Sequence, residues 1–200
     1  MHRDESFLSY GTERLIRSLK EKDQQVEIRN LYELDFNPIL TSADFEAVKS
    51  GNTPEDILTE QEHIRKSDFI WFIFPVWWTS MPAILKGYID RVFLSGFAYE
   101  MHKDYPKGLL TDKRVIILNS MGMSHEDYKK DGTFKALELT MDRGIFEFSG
   151  MEVLAHKYFS SIMSVSKEKR EKYLLEIENL ADTIIDNYGN GRQYKEQHVA

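Results

Sequence analysis

Cysteine is absent from the 200 residues. That excludes disulfides, thiol nucleophiles and thiolate metal sites, and it suits a reducing compartment. A long apolar run is missing too. The longest, Phe69 to Trp78, is interrupted by Pro75 and is about half of what a membrane-spanning helix needs. The first residues, Met1-His2-Arg3-Asp4-Glu5, have no apolar stretch behind their charges, so no secretory signal is read there and the expected location is the cytoplasm. There is no excess of basic residues: 26 Lys and Arg against 33 Asp and Glu leave a net charge of -7. Nucleic acid, which needs a concentrated positive face, is not an expected partner. No repeat, heptad array, low-complexity tract or Pro/Gly-rich linker divides the chain, so one domain is expected over residues 1-188, followed by a polar tail over 189-200.

What is present is an alternation of helix and strand patterns. Phe7, Leu8, Leu15, Ile16 and Leu19 recur at helical spacing behind Asp4 or Ser6 as N-cap, which predicts a helix to about Lys22. Val26 to Tyr32 alternates and predicts a short strand at a sheet margin, ended by Asn37-Pro38. Pro54 opens a helix to residue 66. Phe69 to Phe74 is continuously apolar and predicts a strand buried on both faces at the sheet centre. Pro82 starts an amphipathic helix through Phe93. Arg114 to Leu118 is a further buried strand, Phe134 to about Phe148 a helix, Val153 to Phe159 a strand, and Ser166 to Asn187 a last amphipathic helix. Four strands separated by helices imply an α/β doubly wound parallel sheet with helices on both faces, a three-layer αβα arrangement.

In such sheets ligands bind beyond the carboxyl ends of the strands, where strand order reverses. Two loops qualify. Pro75-Val76-Trp77-Trp78-Thr79-Ser80-Met81-Pro82 leaves the predicted central strand, and its rings and amides suit a planar ligand. Asn119-Ser120-Met121-Gly122-Met123-Ser124 leaves the next. Several features have plainer readings. Trp71 lies inside a strand and reads as core. Lys86, Asp90 and Arg91 read as a surface or interface charge cluster. Arg65-Lys66 and Lys167 to Lys172 read as solvated helical faces. His125, beside Glu126 and Asp127, reads as a solvated loop residue, and no metal site is assigned.

The run from Phe74 through Pro75, Trp77-Trp78, Met81-Pro82-Ala83-Ile84-Leu85-Lys86-Gly87 to Asp90-Arg91-Val92-Phe93 resembles the signature of the NAD(P)H:quinone oxidoreductases. Similarity continues at Gly96-Phe97-Ala98-Tyr99, Lys107-Gly108-Leu109-Leu110 and Phe148-Ser149-Gly150-Met151-Glu152-Val153-Leu154. The resemblance implies a flavodoxin-like fold and a dimeric flavoprotein. Nicotinamide from NAD(P)H and then a quinone or related electrophile would share one pocket over the flavin and exchange a hydride in ping-pong fashion. Compact size and bacterial relatives favour FMN over FAD. Carried over residue by residue, Pro75, Val76, Trp77 and Trp78 would border the isoalloxazine. Asn119, Ser120, Met121 and Gly122 would hold its pyrimidine edge through backbone amides, and Ser6 and Phe7 match the end of the phosphate loop. Tyr99 matches an aromatic shaping the substrate pocket across the dimer interface, and Tyr128 a tyrosine that helps to stabilise reduced flavin.

Two departures stand out. The family's first β-strand and most of its phosphate loop have no counterpart before Ser6-Phe7, which puts Met1 where the loop's histidine belongs. A start upstream of Met1 is the favoured account, and a shortened paralogue with weak flavin binding is the other. Met121 also stands where relatives carry glycine. Three functional classes follow: a hydride-transferring oxidoreductase, a regulatory flavoprotein subunit of a membrane transporter, or a low-potential electron carrier. The aromatic rim and Tyr99 favour the first.

Overall fold

The computed structural model describes residues 6–103 and 105–189. The chain divides into a unit of Met1–Arg29 with Ser161–Ala200 and a unit of Asn30–Ser160.

Among the described residues, the first unit holds a pair of helices. α1 (Phe7–Glu21) starts where Ser6 Oγ accepts from Ser9 N at 3.1 Å, and α7 (Lys167–Tyr188) starts where Ser166 caps Lys169 N. Their apolar faces meet through Leu15, Leu19, Ile177, Ala181 and Ile184, all buried. Gly11 lets the backbone come close, since a Cβ there would lie 2.8 Å from Ile177 Cδ1. Arg14 pairs with Glu171 at 2.7 Å along the rim, and Ser18 Oγ donates to Asp182 at 2.8 Å.

The predicted strand over Val26 to Tyr32 does not form. The segment runs into a turn at residues 31–35 and joins no ladder, and Ile28 is exposed. Alternation shows which side chains could share a face; a strand also needs a neighbour for its amides and carbonyls. Among the described residues no strand pairs with this one.

The second unit carries a parallel sheet of β1 (Phe69–Pro75), β4 (Arg114–Ser120) and β5 (Glu152–Phe159), in the order β1-β4-β5. Phe69 faces Arg114 and Pro75 faces Ser120. Arg114 faces Glu152 and Ser120 faces Phe159, with a bulge at Val115/Ile116 that absorbs Leu154. The sheet centre is therefore β4, not β1. β4 is buried from Val115 to Ser120, whereas Phe69, Ile70, Trp71 and Ile73 of β1 are only half-buried. A continuous apolar run reports coverage of both faces and says nothing about which strand lies in the middle.

Phe72, Phe74, Val115 and Ile117 point from the sheet into one core with Ile64 of α3 (Glu55–Lys66) and with Tyr88, Ile89 and Val92 of α4 (Ala83–Val92). Phe146 packs at a tilt against Phe72, ring centroids 4.7 Å apart. It belongs to a π-helical segment (Glu138–Glu147) that continues α6 (Thr133–Leu137). Four elements were not anticipated: α2 (Ser42–Lys49), closed by a Thr41/Asp44 capping box, β2 (Tyr99–His102) and β3 (Tyr105–Gly108), which form an antiparallel hairpin, and α5 (His125–Lys130) after β4. His125 is exposed as expected but opens this helix, capped by Ser124, rather than lying in a loop.

Arg91 corrects a second expectation. It does not lie in a surface cluster: its side chain is 6% exposed, and it donates from Nη2 to Asp44 at 3.0 Å and from Nη1 to Asp56 at 2.7 Å and to the Asn37 carbonyl at 2.8 Å. It ties α4 to α2 and α3. The exposed Lys86/Asp90 pair on the same helix does match the surface reading.

One turn further back, Gly87 marks a close approach, for a Cβ there would stand 2.1 Å from the Pro38 carbonyl oxygen. Backbone, unlike a flexible side-chain tip, has nowhere to go. Gly87→Ala is expected to destabilise the fold by about 3 kcal/mol, the upper part of the usual cost of overpacking. A urea midpoint equal to that of wild type would show that the Pro38 segment yields freely.

Candidate functional site

Parallel strands deliver their following loops to one edge. β1 leaves the sheet at Pro75, and Val76 N donates to the Ser120 carbonyl at 2.8 Å, so the first loop is tied to the end of β4 from its first residue. The next four residues close on themselves: Trp77 N donates to Ser80 O at 2.9 Å and Ser80 N to Trp77 O at 3.0 Å. This is a two-residue turn with Trp78 at φ 51° and Thr79 at φ 56°. Both central residues are left-handed, a conformation for which Asn-Gly is the favoured pair. Here an indole and a β-branched residue hold it, at a cost of roughly 1–3 kcal/mol for each position. The turn presents Trp78 at 101% exposure and Trp77 at 53%, while Met81 and Pro82 are buried and anchor the far side.

The second loop starts from a buried base. Asn119, Ser120 and Met121 are all buried, and Met121 N donates to the Phe159 carbonyl at 3.0 Å. Gly122 is exposed, with open space where a side chain would be. The four amides proposed for a ligand's edge are therefore not equivalent. Asn119 and Ser120 lie within β4, and Met121 is committed to β5. Gly122 is the member past the sheet edge. Ser124 then caps α5 through Asp127 N, and Tyr128 on that helix is half-buried, its ring 5.8 Å from Phe134.

Tyr99 opens the β2–β3 hairpin, packs against Phe148 at 5.3 Å, and accepts from Gly96 N at 2.7 Å. Ser6 and Phe7 belong to the other unit: Ser6 is the cap of α1, and Phe7 meets Tyr173 edge-on at 6.1 Å. Met1 and His2, where the phosphate loop was sought, lie outside the described residues.

Sequence reasoning missed a buried polar chain beneath these loops. Asn119 Nδ2 donates to the Phe74 carbonyl at 3.0 Å, and its Oδ1 accepts from His156 Nε2 at 2.7 Å. On the other side of the ring, Nδ1 lies 2.8 Å from Asp142 Oδ1 and 3.0 Å from the Tyr158 hydroxyl. Tyr158 stacks on His156 at 4.1 Å and meets Phe134 at a tilt at 4.6 Å. Burial, with Asp142 and Glu138 adding negative charge, pushes the Tyr158 phenol upward, so it stays protonated. The available signal was His156 and Tyr158 two apart in a strand, which places both on one face.

The chain was then compared with known proteins. A family model described as "Flavodoxin-like fold" matches residues 1–181. A Haemophilus influenzae protein named uncharacterized NAD(P)H oxidoreductase is 35% identical over 79% of this chain and 78% of its own. Rat ribosyldihydronicotinamide dehydrogenase [quinone] is 32% identical over 80% of this chain and 78% of its own. Among solved structures, a putative quinone reductase from Klebsiella pneumoniae superposes with a TM-score of 0.85 at 25% identity, covering 92% of this chain and 82% of its own. The NAD(P)H:quinone oxidoreductase of Methanothermobacter marburgensis gives 0.81 at 26% identity, covering 90% and 93%. The chain belongs to the flavodoxin-like NAD(P)H:quinone oxidoreductase family.

Membership raises the question whether these residues suit the flavin that the family implies. Residues 75–82 and 119–124 contain no charged side chain. They offer two exposed indoles, an open glycine and the hydroxyls of Thr79, Ser80, Ser120 and Ser124. A flat, mostly apolar ring with a polar edge fits that chemistry, and a compact multivalent ion does not. Among the described residues, no group of three or more His, Asp or Glu could hold a metal ion.

Proposed function

We propose that this protein is a flavin-dependent NAD(P)H oxidoreductase that reduces quinones or related electrophiles by two electrons, in ping-pong fashion, with FMN the favoured cofactor. The observation that carries the reading is the Trp77–Ser80 turn, which spends backbone strain to hold a fully exposed indole at the carboxyl edge of a parallel sheet. Strain of this kind persists where a function needs it. The names of the family relatives support the same reading.

A bound flavin would supply the redox chemistry, two-electron hydride exchange between nicotinamide and acceptor. The chain supplies the setting. Trp77 and Trp78, with Pro75 and Val76, wall the ring and shed water from one side. The amides of Trp78, Thr79 and Gly122 lie outside the hydrogen bonds that close both loops, and they would be the main-chain donors for its polar edge. Donors there favour the negative charge of a reduced ring. Tyr128 would add a phenolic donor and Tyr99 would shape the acceptor pocket. Ser6 and Phe7 would finish the phosphate loop. A homodimer in the cytoplasm is part of the proposal, and no helix among the described residues is long and apolar enough to cross a membrane.

Titration of the purified protein with FMN tests this. A yellow complex with quenched tryptophan fluorescence is expected, followed by oxidation of NADH or NADPH with a soluble benzoquinone and parallel double-reciprocal lines. Protein that stays colourless with both FMN and FAD sinks the proposal.

A further inference from the structure

The buried chain from Asp142 to Phe74 crosses the whole sheet. It starts on the π-helical segment, passes through His156 on β5 and Asn119 on β4, and ends on the Phe74 carbonyl of β1. Phe74 and Asn119 each sit one residue short of the carboxyl end of their strands, while His156 lies mid-strand on β5, opposite Ile117. Phe74 is followed by Pro75 and the tryptophan turn, and Asn119 by Ser120, Met121 and Gly122.

The atoms decide who donates. A carbonyl only accepts, so the end of Asn119 facing Phe74 must be the amide nitrogen. Oδ1 is then the atom facing His156, and an oxygen 2.7 Å from a ring nitrogen requires a proton on Nε2. At Nδ1 the Asp142 carboxylate and the Tyr158 hydroxyl fix the plane of the ring. The His156 side chain is 5% exposed and Asp142 13% exposed, so water does not readily replace either partner. π-helical turns are rare and concentrate at functional sites, and here the segment is what carries Asp142.

We infer that His156 is a positioning residue for the candidate crevice: by donating from Nε2 it holds Asn119 across β4 and β1, and so sets the spacing of the two loops that would grip the flavin ring. The inference rests on the flavin reading above. His156 acts from beneath, touching Asn119 rather than the ring, and its partners all face it from within one unit: Asp142 from the π-helical segment, Tyr158 from β5, Asn119 from β4; Glu138 acts on Tyr158 by its charge.

The test compares FMN dissociation constants of wild type, His156→Leu and His156→Gln. Leucine removes the Nε2–H and leaves Asn119 Oδ1 as one unsatisfied buried acceptor, from which an expected weakening of roughly tenfold or more follows. Glutamine restores an N–H in reach of Asn119, and its affinity should return to within about threefold of wild type. In wild type labelled with 15N-histidine and free of FMN, the His156 signal, identified by its loss in His156→Gln, should show Nε2 protonated. That measurement stands even if the leucine variant does not fold. Equal FMN affinity in His156→Leu and wild type, a glutamine variant as weak as leucine, or a bare Nε2 overturns the inference alone. Wild type that binds no FMN overturns the flavin reading and the inference with it.

Discussion

Replacing Arg91 by methionine is expected to remove about 3–5 kcal/mol of folding stability, the usual cost of breaking a buried ion pair from one side. Of its two carboxylate partners, Asp56 is 49% exposed and can return to water, so its share is small. Asp44 cannot: its side chain is 8% exposed, and Oδ2 is already taken by the Thr41 amide and hydroxyl at 2.8 Å each. Arg91→Met strands a buried charge. Arg91→Met with Asp44→Asn, which keeps an acceptor for Thr41 but carries no charge, should therefore be more stable than Arg91→Met alone. Such a coupling shows that the loss is the orphaned carboxylate rather than the guanidinium's contact with the Phe36 ring. Additive urea-denaturation losses would refute that account.

Acid supplies an independent check of the same pair. Burial pushes the Asp44 carboxyl up, but hydrogen bonds from Arg91 and from Thr41 outweigh it and hold the group below its ordinary value. A carboxyl lowered on folding contributes stability that is present above its unfolded value, about 3.9, and is lost as pH falls through the lower folded value. Without Arg91 the lowering shrinks and burial dominates. The stability gap between wild type and Arg91→Met should narrow as pH falls from above about 4, where the variant's carboxyl takes up its proton, through the lowered wild-type value.

Arg91 also shows how much was legible beforehand. Tyr88, Arg91 and Val92 lie three and four apart on α4, and all three are buried, so the helical period did place the guanidinium on the inward face. Reading it as a surface charge gave residue type priority over period. The helices over Phe7–Glu21, Glu55–Lys66 and Lys167–Tyr188 and the strands at Arg114 and Glu152 were plain from local pattern and caps, because those signals lie within one segment. Pairing does not. Val26 to Tyr32 alternates as a strand should and finds no ladder partner among the described residues, while β2 and β3, short and carrying Pro106, pair with each other. The candidate site divides in the same way. Trp77, Trp78 and Gly122 could be named from their place after apolar strands. The strain at Trp78 and Thr79, the commitment of the Met121 amide to Phe159 and the Asp142–His156–Asn119 chain are facts of tertiary contact, and no spacing in the sequence announces them.

Exchanging Trp78-Thr79 for Asn-Gly should strengthen the fold while weakening the site. Both positions sit at positive φ, where Asn and Gly rest easily, so relief of strain is expected to add roughly 1–2 kcal/mol to the urea-unfolding free energy. The same exchange deletes the fully exposed indole. If that ring walls a flavin, FMN affinity should fall by roughly tenfold to a hundredfold, the range expected for one stacked aromatic contact of about 1–3 kcal/mol. Thr79→Gly alone separates the two effects, because it removes strain and keeps the indole: stability should rise with FMN affinity nearly unchanged. Trp78→Phe should keep part of the affinity and leave the strain in place. Opposite movement of stability and affinity marks a turn kept strained for binding. A double exchange that gains stability and binds FMN as tightly as wild type would remove Trp78 from the flavin wall and leave its strain without a function.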